Sequence, residues 1–384
     1  MKNWNYRKTP LSASIALALG VFSIPHAYAQ DAGADAAEEN EGLVEEVIVT
    51  GVRKSLIASM DRKRDAIGVV DAITAEDFGD FPDTNLAEAL QRIPGVSIDR
   101  FNGEGSQITV RGLGPEFNLT LLNGRSMPSA GNRSFDFLDI ATEGVSAVEV
   151  YKTARAGLPT GGIGATVNLL TSRPLNSPGV RGVITAKALH ETSVPGSSDL
   201  DKWTPEVSGL YSQTFADDTF GVLISGSYSK RHNREEDAHV AQWFENRDIG
   251  DQATIIDNSQ RTDGRTWYPQ DVGYGFADNE RERTNAQVVL QWAPTDTFTA
   301  TLDYTFAETE FTKNSNGFGI WFLAGGSTVN GNINERGVFT QVTEAGGDYA
   351  TGIGRDHTKK KLDSLGINLD WQATESLTFG LDYH

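Results

Sequence analysis

Catalysis and metal binding usually begin with histidine, cysteine and paired carboxylates, and in this chain of 384 residues none of these is arranged for either. There is no cysteine, which excludes thiol nucleophiles, thiolate metal sites and disulfides. The six histidines form no HExxH; His232 and His239 share one acidic stretch and read as structural or solvated side chains. Gly103-Glu104-Gly105 and the cluster Gly161 to Gly164 complete neither a GxGxxG nor a P-loop spacing, and no Ser/His/Asp arrangement stands out. We therefore expect no enzyme, no cofactor and no metal. The stretch that is organised works through its backbone: Glu45, Glu46, Val47, Ile48, Val49 and Thr50, closed by Gly51. Its three β-branched residues favour an extended chain, and the sixteen residues before Val47 hold seven carboxylates and no Lys or Arg. A strand-former on a charged, flexible tether suits addition to the sheet edge of a partner, the alternative being the first strand of the domain that follows.

Several elements surround this stretch. Lys2, Arg7 and Lys8 precede an apolar run from about Leu11 to Ile24, and Ala27-Tyr28-Ala29 offers small residues at alternate positions, so residues 1–29 read as a secretory signal peptide. No later run approaches the roughly 20 apolar residues of a spanning helix. Cleavage would leave 30 basic against 52 acidic residues, which argues against a nucleic-acid partner. Residues 30–51 form an acidic leader.

From 52 to 174 the pattern is that of a compact α+β domain. Leu56, Ile57 and Met60 give one face of a weak helix over 54–64, and Ala66 to Ile73 reads as a strand. Leu86, Ala89, Leu90 and Ile93 recur at helical spacing after a cap at Asp83 or Thr84, and Pro94-Gly95 stops that helix. Short β runs follow at 96–99, 107–111, 118–122 and 148–152.

From 175 to 384 the period changes to two. Thr297, Thr299, Thr301, Asp303 and Thr305 alternate with Phe298, Ala300, Leu302, Tyr304 and Phe306, giving one polar and one greasy face. Runs of nine to eleven residues, aromatics near strand ends (Trp292, Tyr304, Trp371, Tyr383), and short turns alternating with long connections over 231–283 and 313–360 fit antiparallel transmembrane β-barrel strands. About seven strands are expected, an incomplete and truncated barrel; a passive porin-like barrel is the alternative from another class.

Five blocks in order then carry a resemblance: NLAEALQRIPGV (85–96), ITVRGLG (108–114), LLNGR (121–125), VEVYK (148–152), and GGIGATVN (161–168) with TSRP (171–174). Together they resemble the plug domain of TonB-dependent outer-membrane receptors. The resemblance implies export to the bacterial outer membrane, contact with outer-membrane lipid, and active import of an extracellular small molecule. Glu45 to Thr50 would be the TonB box, gripped by a TonB-type periplasmic energy-coupling protein. Asn123 and the run Tyr151 to Ala156 depart from the commonest family pattern and resemble a subgroup linked to carbohydrate uptake, so an oligosaccharide is the expected ligand and a ferric siderophore the alternative.

The resemblance also implies a plug–barrel lock at Arg111, joined by Arg125 and Glu149. Ligand contacts are expected from the plug turns, at Asn102, Glu104, Glu116, Phe117, Asn132 and Arg133, and from the long connections, at Trp243, Trp267 and Trp321, where aromatics mixed with carboxylates suit a sugar ring.

Overall fold

The structure is a computed structural model that describes residues 55–75, 85–129 and 132–384. Signal peptide, leader and the 45–50 stretch lie outside the described residues. Elements are numbered in chain order. The first part holds α1 (55–65), β1 (Val70–Thr74), α2 (Leu86–Leu90), β2 (Val96–Phe101), β3 (Glu104–Val110), β4 (Asn118–Leu122), β5 (Arg125–Ser126), β6 (Val145–Tyr151) and β7 (Ala165–Thr171). One mixed sheet runs β1-β6-β7-β4-β5, with β4 and β7 parallel, and β2–β3 form a separate two-stranded hairpin.

Asn85 caps α2: its backbone is extended, and its side chain accepts from Ala87 N at 2.8 Å. The expected caps, Asp83 and Thr84, lie outside the described residues, and the observed cap is one position later. Gly95, at φ +78, ends the turn after α2. Leu86, Ala87, Ala89 and Leu90 are all fully buried, in one core with Val110, Val148, Val150, Val167 and Leu169. Truncating a side chain such as Leu90 to alanine there costs about 2–5 kcal/mol. The central strand β7 reads almost continuously buried because it is covered on both faces.

The second part is a seven-stranded antiparallel sheet: β8 (Arg181–His190), β9 (Trp203–Phe215), β10 (Phe220–Glu245), β12 (Trp267–Thr295), β13 (Phe298–Trp321), β16 (Asp348–Thr374) and β17 (Leu377–Tyr383), in the order β17-β16-β13-β12-β10-β9-β8. The sheet is open, with β17 and β8 at its edges. A smaller sheet of β11 (Thr254–Asp257), β14 (Thr328–Ile333) and β15 (Phe339–Glu344) packs around Tyr268, Ala324, Ile333 and Phe339. On β13 the polar face is buried against the first part at Thr301, Asp303, Thr305 and Thr309, while Leu302 and Tyr304 on the opposite face are exposed. Aromatic pairs sit at the tight-turn ends: Trp292 with Phe298 at 6.1 Å and Trp371 with Phe379 at 5.6 Å. Such an arrangement is a greasy outer band with an aromatic girdle.

The connections expected over 231–283 and 313–360 are mostly strand. β10 and β12 stay in register from Phe220↔Trp292 out to Glu245↔Trp267, and β13 and β16 from Phe298↔Trp371 to Trp321↔Asp348. At about 3.3 Å per residue these strands reach roughly 80–95 Å, far beyond a bilayer. Alternation weakens as a guide there because the apolar residues, such as Val272, Tyr274 and Phe276 on β12 and Phe318 and Ile320 on β13, are spaced by glycines and mixed with charged stretches. Cross-strand ion pairs on the outward face run alongside the ladder instead, Lys230 with Glu280 and Glu282 at 3.0 Å each and Lys359 with Glu308 at 2.8 Å.

Candidate functional site

The seam between the α+β part and the wall is where opposite charges meet. Among the described residues three ionic clusters cross it. The first grows from the β4–β5 turn, where Asn123 (φ +53) and Gly124 (φ +85) make the tight reversal that presents Arg125 to the wall. Asn123 is tied down by Thr171, whose backbone N–H donates to it at 3.0 Å, and Gly124 N donates to Asn168 at 2.8 Å. Arg125 then forks: Nη1 donates to both oxygens of Asp303 at 2.7 and 2.9 Å, while Nε and Nη2 donate to Asp382 at 2.7 and 3.0 Å. Burial opposes its charge, but hydrogen bonds to Asp382 and Asp303 outweigh burial and hold its pKa above the ordinary arginine value. Gly366 of β16 leaves room for the fork, since a Cβ there would collide with Arg125 Nη1.

The second cluster is at the tip of the β2–β3 hairpin. Glu104 receives Arg231 Nη1 at 2.8 Å and both terminal nitrogens of Arg281. In the third, Lys360 donates to Asp136 at 2.9 Å and Asp139 at 3.2 Å. Asp136 also caps the short turn Phe137–Asp139 by accepting from Leu138 N. Burial and the adjacent Asp136 charge push the Asp139 carboxyl above its ordinary value despite Lys360. Between the last two clusters lies a cavity of about 490 Å³, lined from the plug side by Arg100, Phe101, Asn102, Glu104, Asp136 and Asp139 and from the wall by Arg231, Arg281, Thr309, Phe311 and Lys360. The rings of Phe101 and Phe311 meet across it at 5.2 Å. A cavity of this size, with apolar rings and convergent charged groups, can enclose a polar small molecule.

The expected site residues distribute unevenly around this seam. Arg125 reaches wall carboxylates; Arg111 and Glu149 do not. Arg111 has φ +54, and that reversal turns its guanidinium back onto Lys152 O at 2.8 Å. Glu149 accepts from Arg62 at 2.5 Å and from the Tyr151 hydroxyl at 2.6 Å, facing α1, and burial together with Glu149 pushes Tyr151 up to about 12. Asn102 and Glu104 line the cavity, with the Glu104 carboxylate engaged by the wall. Glu116 and Phe117 stand in the turn Pro115–Phe117 beyond the far end of β3 from Glu104, exposed. Asn132 and Arg133 belong to a separate turn, where Arg133 donates to Gly161 O at 3.0 Å. Trp243, Trp267 and Trp321 occupy the outer ends of β10, β12 and β13, well away from the seam, and Trp321 lines a second cavity of about 960 Å³ there. The wall partners Arg231, Arg281, Asp303, Lys360 and Asp382 escaped sequence reasoning; the available signal was a charge on the polar parity of a strand.

The profile of the TonB-dependent Receptor Plug Domain matches residues 62–166. Ferric enterobactin receptor PirA of Pseudomonas aeruginosa is 29% identical over 210 residues, which are 50% of this chain and 27% of that protein. The vitamin B12 transporter BtuB of Photobacterium profundum is 29% identical over 111 residues, 28% of this chain and 18% of that protein. The crystal structure of the siderophore receptor PirA from Acinetobacter baumannii aligns with a TM-score of 0.36 at 16% identity, covering 85% of this chain and 48% of that one. The matched stretches thus span well under two thirds of each of these proteins. The two curated relatives are named for ferric enterobactin and vitamin B12, not for a carbohydrate. With its plug profile over 62–166 and its greasy-faced antiparallel strands, the chain carries a TonB-dependent receptor plug domain followed by strands that resemble the wall of an outer-membrane barrel.

Proposed function

We propose that the chain serves TonB-dependent import of a ferric siderophore, bound in the seam cavity between plug apex and wall. The observation that carries this reading is the cavity itself, lined by plug and wall together and bounded by ion pairs that cross between them. A ligand there touches the element that must move and the element that stays. Iron chelates are favoured because relatives are named for ferric enterobactin, and three wall cations, Arg231, Arg281 and Lys360, border the space. In this reading residues 1–29 are removed on export, 30–51 carry the box, 52–174 form the plug and 175–384 form barrel wall. Arg125, with Asp303 and Asp382, secures the plug; a TonB-type protein pairs with Glu45 to Thr50 as an added strand and pulls.

Uptake of iron-labelled ferric enterobactin by cells carrying the gene tests this, with labelled malto-oligosaccharide and vitamin B12 as competing candidates. Val47→Pro and Val49→Pro each remove a backbone donor and fix φ, so iron uptake should vanish while surface binding persists. Uptake indifferent to both substitutions would sink the energy-coupled mechanism in favour of a porin-like barrel, and box-dependent uptake of a sugar alone would overturn the ligand.

A further inference from the structure

Arg231 of β10 and Arg281 of β12 are directly paired across the two strands, with both guanidinium groups directed to the cavity side. Like charges placed opposite each other in a ladder repel, so this wall position favours an anion between them. The anion present is Glu104, which the plug reaches across the seam to supply. Arg281 nevertheless keeps one buried donor, Nε, without a hydrogen-bond partner, so one carboxylate does not saturate the site. Arg231 turns its other terminal nitrogen, Nη2, to Glu191 at 3.4 Å.

The hairpin that carries Glu104 is anchored at its inner end, where Val96, Ile108 and Val110 pack in the plug core, and only its tip extends beyond that core. Among the described residues β2 and β3 pair in a ladder with each other alone, so at the tip, beyond the core contacts, no further strand supports the ribbon. Its turn is the pair Asn102 (φ +51) and Gly103 (φ +81), immediately before Glu104. The contacts near that tip that reach the wall are the Glu104 ion pairs and the Phe101–Phe311 ring contact. Lower down, α2 holds the hairpin to the plug through Arg100–Glu88 at 2.9 Å and Asn85 to Gly105 O at 2.9 Å.

We propose that Glu104 is a built-in competitor for the ligand: an anionic group entering the cavity takes its place on Arg231 and Arg281 and thereby frees the apical hairpin from the wall. The ligand is therefore selected as an anion with at least two acceptor oxygens, and its binding is read out as loss of a plug–wall contact. The site is the one assigned above to the ligand, so the inference rests on that reading, but it makes a separate claim about one carboxylate.

The test uses the full-length gene product in outer-membrane vesicles, with inorganic pyrophosphate and ferric enterobactin as anionic probes and vitamin B12 as a probe without net charge. Glu104→Gln keeps the shape and removes the charge. It should bind both anions about tenfold more tightly than the parent, since it no longer competes for charge-assisted hydrogen bonds, and should leave vitamin B12 unaffected. Amide exchange over 101–106 should be fast in Glu104→Gln without ligand, and should become fast in the parent only when anion is added. Continued protection of α2, β6 and β7 reports that the variant is folded, and Glu104→Asp, which keeps the charge, should restore slow exchange. Equal anion affinity in parent and Glu104→Gln, or a hairpin that exchanges equally slowly in both, overturns the proposal. If ferric enterobactin is ignored but pyrophosphate behaves as described, the siderophore reading fails and the competitor stands; box-dependent iron uptake with no Glu104 effect gives the reverse.

Discussion

Replacing Arg125 with methionine isolates the energetics of the seam. The guanidinium and Asp303 are both buried, with side-chain exposures of 5% and 4%, whereas Asp382 is 36% exposed. Methionine fills much of the arginine volume, so the loss is electrostatic. It strands the Asp303 carboxylate in a dry seam, and breaking one side of a buried pair costs about 3–5 kcal/mol. The Asp382 contact, screened by solvent, adds no more than about 1 kcal/mol. Urea titration of the protein in vesicles, read by amide exchange over Leu121–Ser126, should therefore place the variant about 3–5 kcal/mol below the parent. Adding Asp303→Leu removes the stranded charge and should return most of that loss, because a buried ion pair exchanged for apolar groups of similar volume is close to neutral. A single-variant cost under about 1 kcal/mol, or a double variant no more stable than the single, would refute the buried fork as a determinant of plug retention.

Three further outcomes follow from the same geometry. Gly366→Ala places a methyl into Arg125 Nη1 and should loosen the plug without altering any charge, measurable as faster exchange over the same strand; unaltered exchange would mean that the fork has slack. Asp71→Asn tests linkage in the plug: burial opposes the ionised form, yet Lys152 and Lys63, each at 2.6 Å, hold the carboxyl below its ordinary value. A depressed folded pKa contributes stability that is present above the unfolded value near 4 and disappears as pH falls through the folded value, so the gap between parent and variant in urea stability should be constant from pH 7 to about 5 and close in stronger acid. A gap that widened on acidification would reverse the sign of the linkage. Arg111→Ala, by contrast, should change exchange at the Lys152 end of β6 while leaving the Arg125 strand untouched, since its guanidinium contacts the plug backbone alone.

What sequence reasoning reached and what it missed divide along physical lines. The α2 pattern, the plug strands other than β5 and β7 and the alternation from Thr297 to Phe306 were legible because they are local: helical spacing and period two are properties of a segment and the single solvent boundary it faces, whereas β7, covered on both faces, shows no alternation and was not expected. The outer halves of β10, β12, β13 and β16 were not, because their apolar residues are sparse, set between glycines and interrupted by charged stretches that read as loop; cross-strand partners such as Lys230 with Glu280 and Glu282 become visible only once register is known. A cap shifted by one residue, at Asn85, reflects the same blurring at an element end.

The site follows the same division. Arg125 could be singled out, whereas its partners Asp303 and Asp382 lie 178 and 257 residues away and had no sequence mark beyond sitting on polar faces. Arg111 and Glu149 had equal standing in the sequence, and a left-handed turn and a face of β6 turned to α1 sent them elsewhere. Glu104 looked like a residue for the ligand; the structure places its carboxylate between two arginines of adjacent strands. The sequence by itself thus determined the helix of the plug, most of its strands, the inner halves of the wall strands and the resemblance to a plug domain, since short-range pattern carries that information. Which charges meet across the seam was decided only by tertiary structure, because an ion pair depends on register and on the distance between elements, and neither is written in any one segment.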